Sequence, residues 1–251
     1  MLQFQVASDL HIEFMRDSIP NPLDYITPTT DILILAGDIG SFYKQEQLNG
    51  FIRKTCEYFS LVIYVVGNHE YYKQRFHQPL PIEEIENRIK ILESSIENLY
   101  ILDRNKEPLL IDNVCIAGCT LWSDPKVRIP NFFKIHGMNT NLYRNRFQKD
   151  LLYIQRVMKH CKKKKLKLLV VTHYLPTYRV IEERLSDEYV SLYASNLDHL
   201  LEEGTVHTWI SGHVHKNFDL TYSSGTRFVG NQCGKTKDNI PDFRKDFVIS
   251  V

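Results

Sequence analysis

Seven side chains in this sequence have the types and placing to hold metal ions: Asp9, His11, Asp38, Asn68, His173, His213 and His215. They fall in five blocks: Asp9-Leu10-His11, Gly37-Asp38, Gly67-Asn68-His69-Glu70, a lone His173, and Gly212-His213-Val214-His215. The set offers four imidazoles, two carboxylates and one amide oxygen. That is too many donors for one ion and suits two ions if one carboxylate bridges them. Nitrogen and oxygen donors without thiolate favour Mn, Fe, Zn or Co over Mg or Ca. Such ions lower the pKa of bound water, so a hydroxide nucleophile would be available near neutral pH. Asp9 and His11 are two residues apart, as are His213 and His215, so in extended chain each pair points the same way. Gly37, Gly67 and Gly212 each precede a donor, and glycine lets the backbone turn sharply beside an ion.

The elements that must position these residues are legible as short apolar runs over 2–7, 32–36, 61–66, 114–117, 166–172 and 206–210, several rich in Val and Ile. Such runs read as buried strands. Helical patterns fit 46–59, 82–97, 142–161 and 189–203, and the alternation predicts an α/β sheet with helix crossovers. Each donor block directly follows a strand, and open α/β sheets carry their sites outside the carboxyl ends of the strands. The five blocks are therefore expected to converge. Beyond residue 217, short runs at 218–222, 226–230 and 246–251 read as a meander and predict a second, more antiparallel sheet. Two stretches look like insertions: 122–143, with Pro125, Pro130 and Phe132-Phe133, and 174–188, with Pro176, Tyr178 and Arg179. Long irregular segments of this kind often carry function.

Bulk properties narrow the class. The 251 residues suffice for one sizeable core, so a single domain over 1–251 is expected. With 31 basic and 30 acidic side chains the net charge is +1, which gives no long-range reason to expect nucleic acid or an anionic membrane. Lys162–Lys165 sits at a predicted helix C-terminus, where the helix dipole favours cations. Five cysteines without a CxxC pair read as free thiols, suiting a reducing compartment. The N-terminus has no signal-peptide pattern and no run is long enough to span a bilayer, so a soluble, cytoplasmic protein is expected.

The ordered blocks D-x-H, G-D, G-N-H-E, H and G-H-x-H resemble those of the calcineurin-like metallophosphoesterase superfamily, over residues 9–215. The start SDLHIEF and the block GNHEYY look most like a branch of small, poorly characterised phosphoesterases. The resemblance implies a four-layer αββα sandwich with two mixed β-sheets, and two divalent ions, with Mn favoured. It also implies the ligand split: Asp9, His11, Asp38 and His215 for one ion, and Asp38, Asn68, His173 and His213 for the other. Asn68 would also touch substrate, and His69 would be the general acid. The implied activity is hydrolysis of a phosphate mono- or diester of a small molecule or nucleotide.

Departures from the family are equally specific. Protein phosphatases orient the acid with an aspartate three residues after the bridging one; that position here is Ser41, leaving Glu70 or a backbone carbonyl as candidates. Their two site arginines are absent, since Gly37-Asp38-Ile39-Gly40-Ser41 lacks one and Val66 stands before Gly67. Gln232 and Cys233 stand where the branch tends to carry Pro-Arg, so an arginine contact to phosphate is lost there. Tyr71 and Tyr72 are read either as packing residues or as stacking surfaces for a substrate ring. His77, His136, His160, His199 and His207 read as surface or structural residues, and Asp103 and Asp112 as turn residues. A nuclease is a second reading, opposed by the balanced charge. A binding or scaffold protein on the same fold is a third, opposed by the full set of ligands and the intact His69.

Overall fold

The expected runs form strands of two mixed sheets in a computed structural model that describes residues 1–16, 18–130, 133–181 and 186–251. In the first sheet, β1 (Gln3–Ala7), β2 (Ile32–Ala36), β3 (Leu61–Val65) and β4 (Leu99–Ile101) run parallel. The second sheet has the order β5 (Leu109–Ile111), β6 (Val114–Cys119), β7 (Lys167–Thr172), β8 (Val206–Ile210), β10 (Arg227–Gly230), β9 (Phe218–Thr221). Its four central strands are parallel, and β5 and β9 are antiparallel edges.

Strand alternation decides the layers. Phe4, Val6, Ile34, Ala36, Ile63 and Val65 of the first sheet meet Val114, Ile116, Leu169, Val171, Ile210 and Val229 of the second in one buried cluster. Their alternates face helices. Leu33, Leu35, Val62 and Tyr64 share a cluster with Leu48, Phe51 and Ile52 of α1 (Gln45–Cys56) and with Ile82, Ile85 and Leu92 of α2 (Ile82–Ser94). Leu168, Val170 and Trp209 lie in the same cluster with Ile154, Val157, Met158 and Cys161 of α3 (Thr140–Lys164). In α1 the buried Leu48, Phe51, Ile52, Thr55 and Cys56 recur at the spacing of one helix face. The helix–sheet–sheet–helix order is the expected four-layer sandwich.

α3 starts on Asn139, whose side chain accepts the Leu142 N–H at 3.0 Å, and ends with Lys165 at φ 56. Lys162, Lys163 and Lys164 fill its last turn, where their charge suits the dipole. All five cysteines are free thiols, four of them buried. Among the described residues no helix is long and apolar enough to cross a membrane.

Two expectations need correction. The region 189–203 is not one helix but two short ones, α4 (Asp187–Val190) and α5 (Asp198–Glu202). Between them the Ser191 and Ser195 hydroxyls accept the backbone N–H groups of Lys126 and Asp124, and Ala194 bridges to Leu175. Tertiary pairing there outcompetes the local helical pattern. The C-terminal meander does not form a sheet of its own: β9 and β10 extend the second sheet. β11 (Val248–Ser250) instead crosses back to lie antiparallel to β1, covering that sheet's edge. β4 and β5, three residues each, were too short to announce themselves.

One buried ion pair clips α3 to the turn after β4. Arg104 Nη1 lies 2.8 Å from Asp150 Oδ1, and the Asp150 side chain is fully buried. Asp150 Oδ2 has no partner among the described residues. Burial raises the Asp150 carboxyl from its ordinary 3.8 to about 6, against the opposing pull of Arg104. A folded pKa above the unfolded one means that ionising Asp150 costs stability as pH rises from about 4 through 6. Arg104→Met is expected to destabilise the fold by about 3–5 kcal/mol at pH 8, because it strands a buried charge. The deficit should shrink at pH 5, where the carboxyl is protonated. Urea unfolding at the two pH values checks this, and an equal loss at both would assign the cost to packing instead.

Candidate metal centre and active site

All seven expected donors converge at one end of the sandwich, on the loops that leave β1, β2, β3, β7 and β8. They do not do so in extended chain. Asp9 (φ 55), His11 (φ 49), Asp38 (φ 54), His213 (φ 80) and His215 (φ 51) all adopt the left-handed conformation. For residues other than glycine this is costly and marks a site the surroundings over-determine. The loops are laced together to hold it. Asp9 N–H donates to Gly37 O at 2.9 Å and His11 N–H to Asp38 O at 3.0 Å. The His213 N–H donates to the Asp9 carboxylate at 3.0 and 3.1 Å, and Gly212 N–H to His173 O at 3.0 Å.

Three donor clusters emerge, two of which share no residue: Asp9, His11 and His215 in one set, and Asp38, His173 and His213 in the other; the third, His11, Asp38 and His69, overlaps both. Asn68 joins the second, its Oδ1 3.1 Å from His173 Nε2. Asp38 faces both: its Oδ1 lies 3.2 Å from His173 Nε2 and its Oδ2 3.8 Å from His11 Nε2. Three of the four imidazoles have their outer nitrogens anchored, while the outer Nε2 of His213 is buried without a partner among the described residues. His173 Nδ1 donates to Ala36 O at 3.0 Å, His11 Nδ1 meets Glu13 Oε1 at 3.0 Å, and His215 Nδ1 meets Asp238 Oδ2 at 2.5 Å. Such partners fix the tautomer and turn the other nitrogen inward.

The inner atoms test whether ions fit. His11 Nε2 and His215 Nε2 are 2.8 Å apart, and His213 Nδ1 and His173 Nε2 3.2 Å. Facing lone pairs repel unless a proton or a metal ion lies between them. Donors bonded to one ion at about 2.1 Å stand about 3.0–3.4 Å apart, depending on geometry. The 3.2 Å separation falls inside that range and the 2.8 Å one just below it, so the histidine and aspartate clusters fit a dinuclear metal site. Charge agrees. Burial alone would raise the Asp38 and Asp9 carboxyls, but the neighbouring histidines hold both below the ordinary value. Burial, then the charge of His173, holds His213 well below its ordinary value, in the neutral form that binds metal. Burial would lower His173, yet Asp38 carries it up to about 9 in the metal-free chain, so metal binding releases a proton there.

His69 sits beside this centre without joining either set. Its backbone N–H donates to Asp38 Oδ1 at 2.8 Å, and its ring stacks on Tyr72 with centroids 4.5 Å apart. Its Nδ1 lies 2.7 Å from Glu13 Oε1. Neither expected partner is used. Glu70 is turned away, accepting the N–H groups of Asp38, Ile39 and Gly67 and the Tyr64 hydroxyl. Burial, then the Asp38 charge, pushes its carboxyl up to about 8. Ser41 donates to Tyr72 O. Glu13 and Asp238 are site residues that no spacing in the sequence marked.

The open questions on neighbouring residues resolve by position. Tyr71 packs in the core against Trp122, whereas Tyr72 lines the cleft. Gln232, at the branch's proline position, accepts His215 N–H at 2.7 Å and donates to Lys216 O at 2.6 Å, and Cys233 stands at the arginine position. His77, His136, His160, His199 and His207 are all exposed and outside the cluster. The cleft above the centre measures about 760 Å³. It is lined by Tyr72 and Phe133, whose rings meet edge-on, by Val180, Ile181, Leu192 and Tyr193, and by Lys216 and Lys235. Both irregular stretches thus contribute lining; Phe132 and residues 182–185 lie outside the described residues.

Gly37 shows how tightly the centre is built. At φ +91, an added Cβ would fall 2.4 Å from His173 Nδ1, the nitrogen held by Ala36. Gly37→Ala is expected to weaken metal binding about 10–100-fold, as displaced outer partners typically do. Gly225→Ala is the control: its φ is +88 but the space is open. That variant should show the backbone strain in unfolding experiments with metal affinity unchanged. Equal affinities for both variants would refute the steric account.

Comparison with known proteins places this fold. A phosphopantetheinyl hydrolase of Mycobacterium tuberculosis shares the fold with a TM-score of 0.78 at 14% identity, over 99% of this chain and 95% of that one. A dimetal phosphatase of Danio rerio aligns with a TM-score of 0.51 at 14% identity, covering 91% and 86% of the two chains. An uncharacterized protein of Acanthamoeba polyphaga mimivirus is 24% identical over 263 residues, 91% of this chain and 89% of its own. Fold and centre together define a metal-dependent phosphoester hydrolase. The calcineurin-like phosphoesterase family matches residues 2–217, and the chain belongs to it.

Proposed function

We propose that the protein hydrolyses a phosphate ester of a small molecule or nucleotide at two divalent ions, Mn being favoured. In this reading Asp9, His11, Asp38 and His215 hold one ion, and Asp38, Asn68, His173 and His213 the other. The observation that carries it is Asp38, whose two oxygens face opposite donor sets. Bound there, the ions supply Lewis-acid charge at the phosphoryl oxygens and activate water near neutral pH. Asn68 faces the cleft beside the second set and serves the phosphoryl group. His69 gives its Nε2 proton to the leaving oxygen, a contribution of about 10²–10⁴-fold.

The walls favour a leaving group with apolar or planar surface. Val180, Ile181 and Leu192 suit an extended, largely uncharged arm, and Tyr72 and Phe133 a ring. Lys216 and Lys235 suit a further anionic group. Phosphopantetheinyl esters therefore join nucleotides, cyclic nucleotides and dinucleoside polyphosphates as the substrates to assay. The test is metal content together with turnover of p-nitrophenyl phosphate and bis-p-nitrophenyl phosphate with Mn, followed by that panel. Two bound equivalents of metal with no hydrolysis of any mono- or diester would refute the reading. Among the described residues two lysines, Lys216 and Lys235, line the cleft, short of the basic track a nuclease needs, and a scaffold role would leave the complete ligand set and His69 without purpose.

A further inference from the structure

We propose that Glu13 is the positioning residue of the acid His69, and that its one oxygen ties that acid to the first ligand set through His11. The inference rests on the reading above, in which His69 protonates the leaving group. Glu13 lies in the single 3₁₀ turn Ile12–Phe14 that follows the left-handed His11. That turn sends Glu13 inward, fully buried, while its neighbour Phe14 is exposed. Its Oε1 is 2.7 Å from His69 Nδ1 and 3.0 Å from His11 Nδ1. The other oxygen is buried with no partner among the described residues, so the carboxylate's bonds here go to the two imidazoles alone.

The consequence for His69 is geometric. Its Nδ1–H is committed to Glu13, so Nε2 is the nitrogen left to serve the cleft. The ring plane is held as well: Tyr72 stacks on it, and His11 meets it edge-on with centroids 4.5 Å apart. When the leaving P–O bond breaks, the Nε2 proton passes to the leaving oxygen. The ring is left neutral with its Nδ1–H still on Glu13. His11 shares the same acceptor, so the acid keeps a fixed place relative to the first ligand set. The usual aspartate position is Ser41, whose hydroxyl is spent on Tyr72 O, so this task falls to a different loop.

Asp238 provides the control. It also bonds the outer nitrogen of a first-set histidine, His215, yet it makes no bond to His69. A residue that only supports a metal ligand should behave as Asp238 does. The experiment compares wild type, Glu13→Gln, Glu13→Asp, Asp238→Asn, His69→Ala and the Glu13→Gln/His69→Ala double variant. Substrates are phenyl, p-nitrophenyl and 2,4-dinitrophenyl phosphate at saturating Mn, with bound metal measured in parallel. Glu13→Gln is expected to lower kcat on the phenyl ester about 10²-fold, within the range of a lost general acid. On the dinitrophenyl ester, whose leaving group needs no proton, the loss should stay below about threefold. Glu13→Asp should fall between, and Glu13→Gln should add almost nothing in the His69→Ala background. Asp238→Asn should lower all three esters alike. Equal losses across the esters for Glu13→Gln and Glu13→Asp, or additivity with His69→Ala, would overturn the proposal. Failure of the wild type on every ester would instead overturn the hydrolase reading.

Discussion

Asp38→Asn is expected to leave the chain with at most one bound metal equivalent and to lower turnover by about 10³–10⁴-fold, the several kcal/mol that a metal clamp contributes. The substitution keeps the shape of the side chain, so the fold should survive. What changes is the second oxygen. Oδ1 faces His173 and accepts the His69 N–H, while Oδ2 faces His11. An amide can offer its oxygen to one donor set only, and it turns an N–H pair toward the cation of the other. Asp9 cannot compensate, because it lies in the first set alone. Asp9→Asn should therefore weaken one equivalent and spare the other. Metal analysis of the two variants beside their turnover decides the matter. An Asp38→Asn protein that keeps two equivalents and turns over within tenfold of wild type would show that Asp38 does not bridge.

The donor positions were readable because parallel strands buried on both faces are nearly continuous apolar runs, and polar residues just after them have nowhere to go but the sheet end. That logic located Asp9, Asp38, Asn68, His173 and His213 across more than two hundred residues. It misjudged how Asp9 and His11 reach the same place. Period-two spacing suggested one face of extended chain, whereas both residues sit at positive φ. Backbone bonds between loops impose that conformation, and no periodicity reports it. Glu13 and Asp238 escaped for a related reason: each is defined by what it touches from another segment. The break between α4 and α5 is similar, since Ser191 and Ser195 answer to Lys126 and Asp124 rather than to their own turn. The placement of β11 beside β1 is a choice of edge, which the short run at 246–251 does not contain.

His69→Ala is expected to keep two metal equivalents and to lose about 10²–10⁴-fold in kcat, with KM little changed. Metal retention follows from how His69 meets the centre. It reaches Asp38 through its backbone N–H, which alanine preserves. Its ring nitrogen goes to Glu13, and removing it leaves Glu13 still bonded to His11 Nδ1. The prediction is sharp because His69, His11 and Asp38 also form a donor cluster close enough to hold an ion. If His69 were a ligand, its loss would lower metal content and turnover together. If it is the acid, turnover falls while metal stays, and the fall deepens as the leaving group becomes more basic. A variant with two metals and wild-type turnover on a poor leaving group would remove His69 from the reaction, because a bond to Glu13 alone gives a buried histidine no part in breaking a P–O bond.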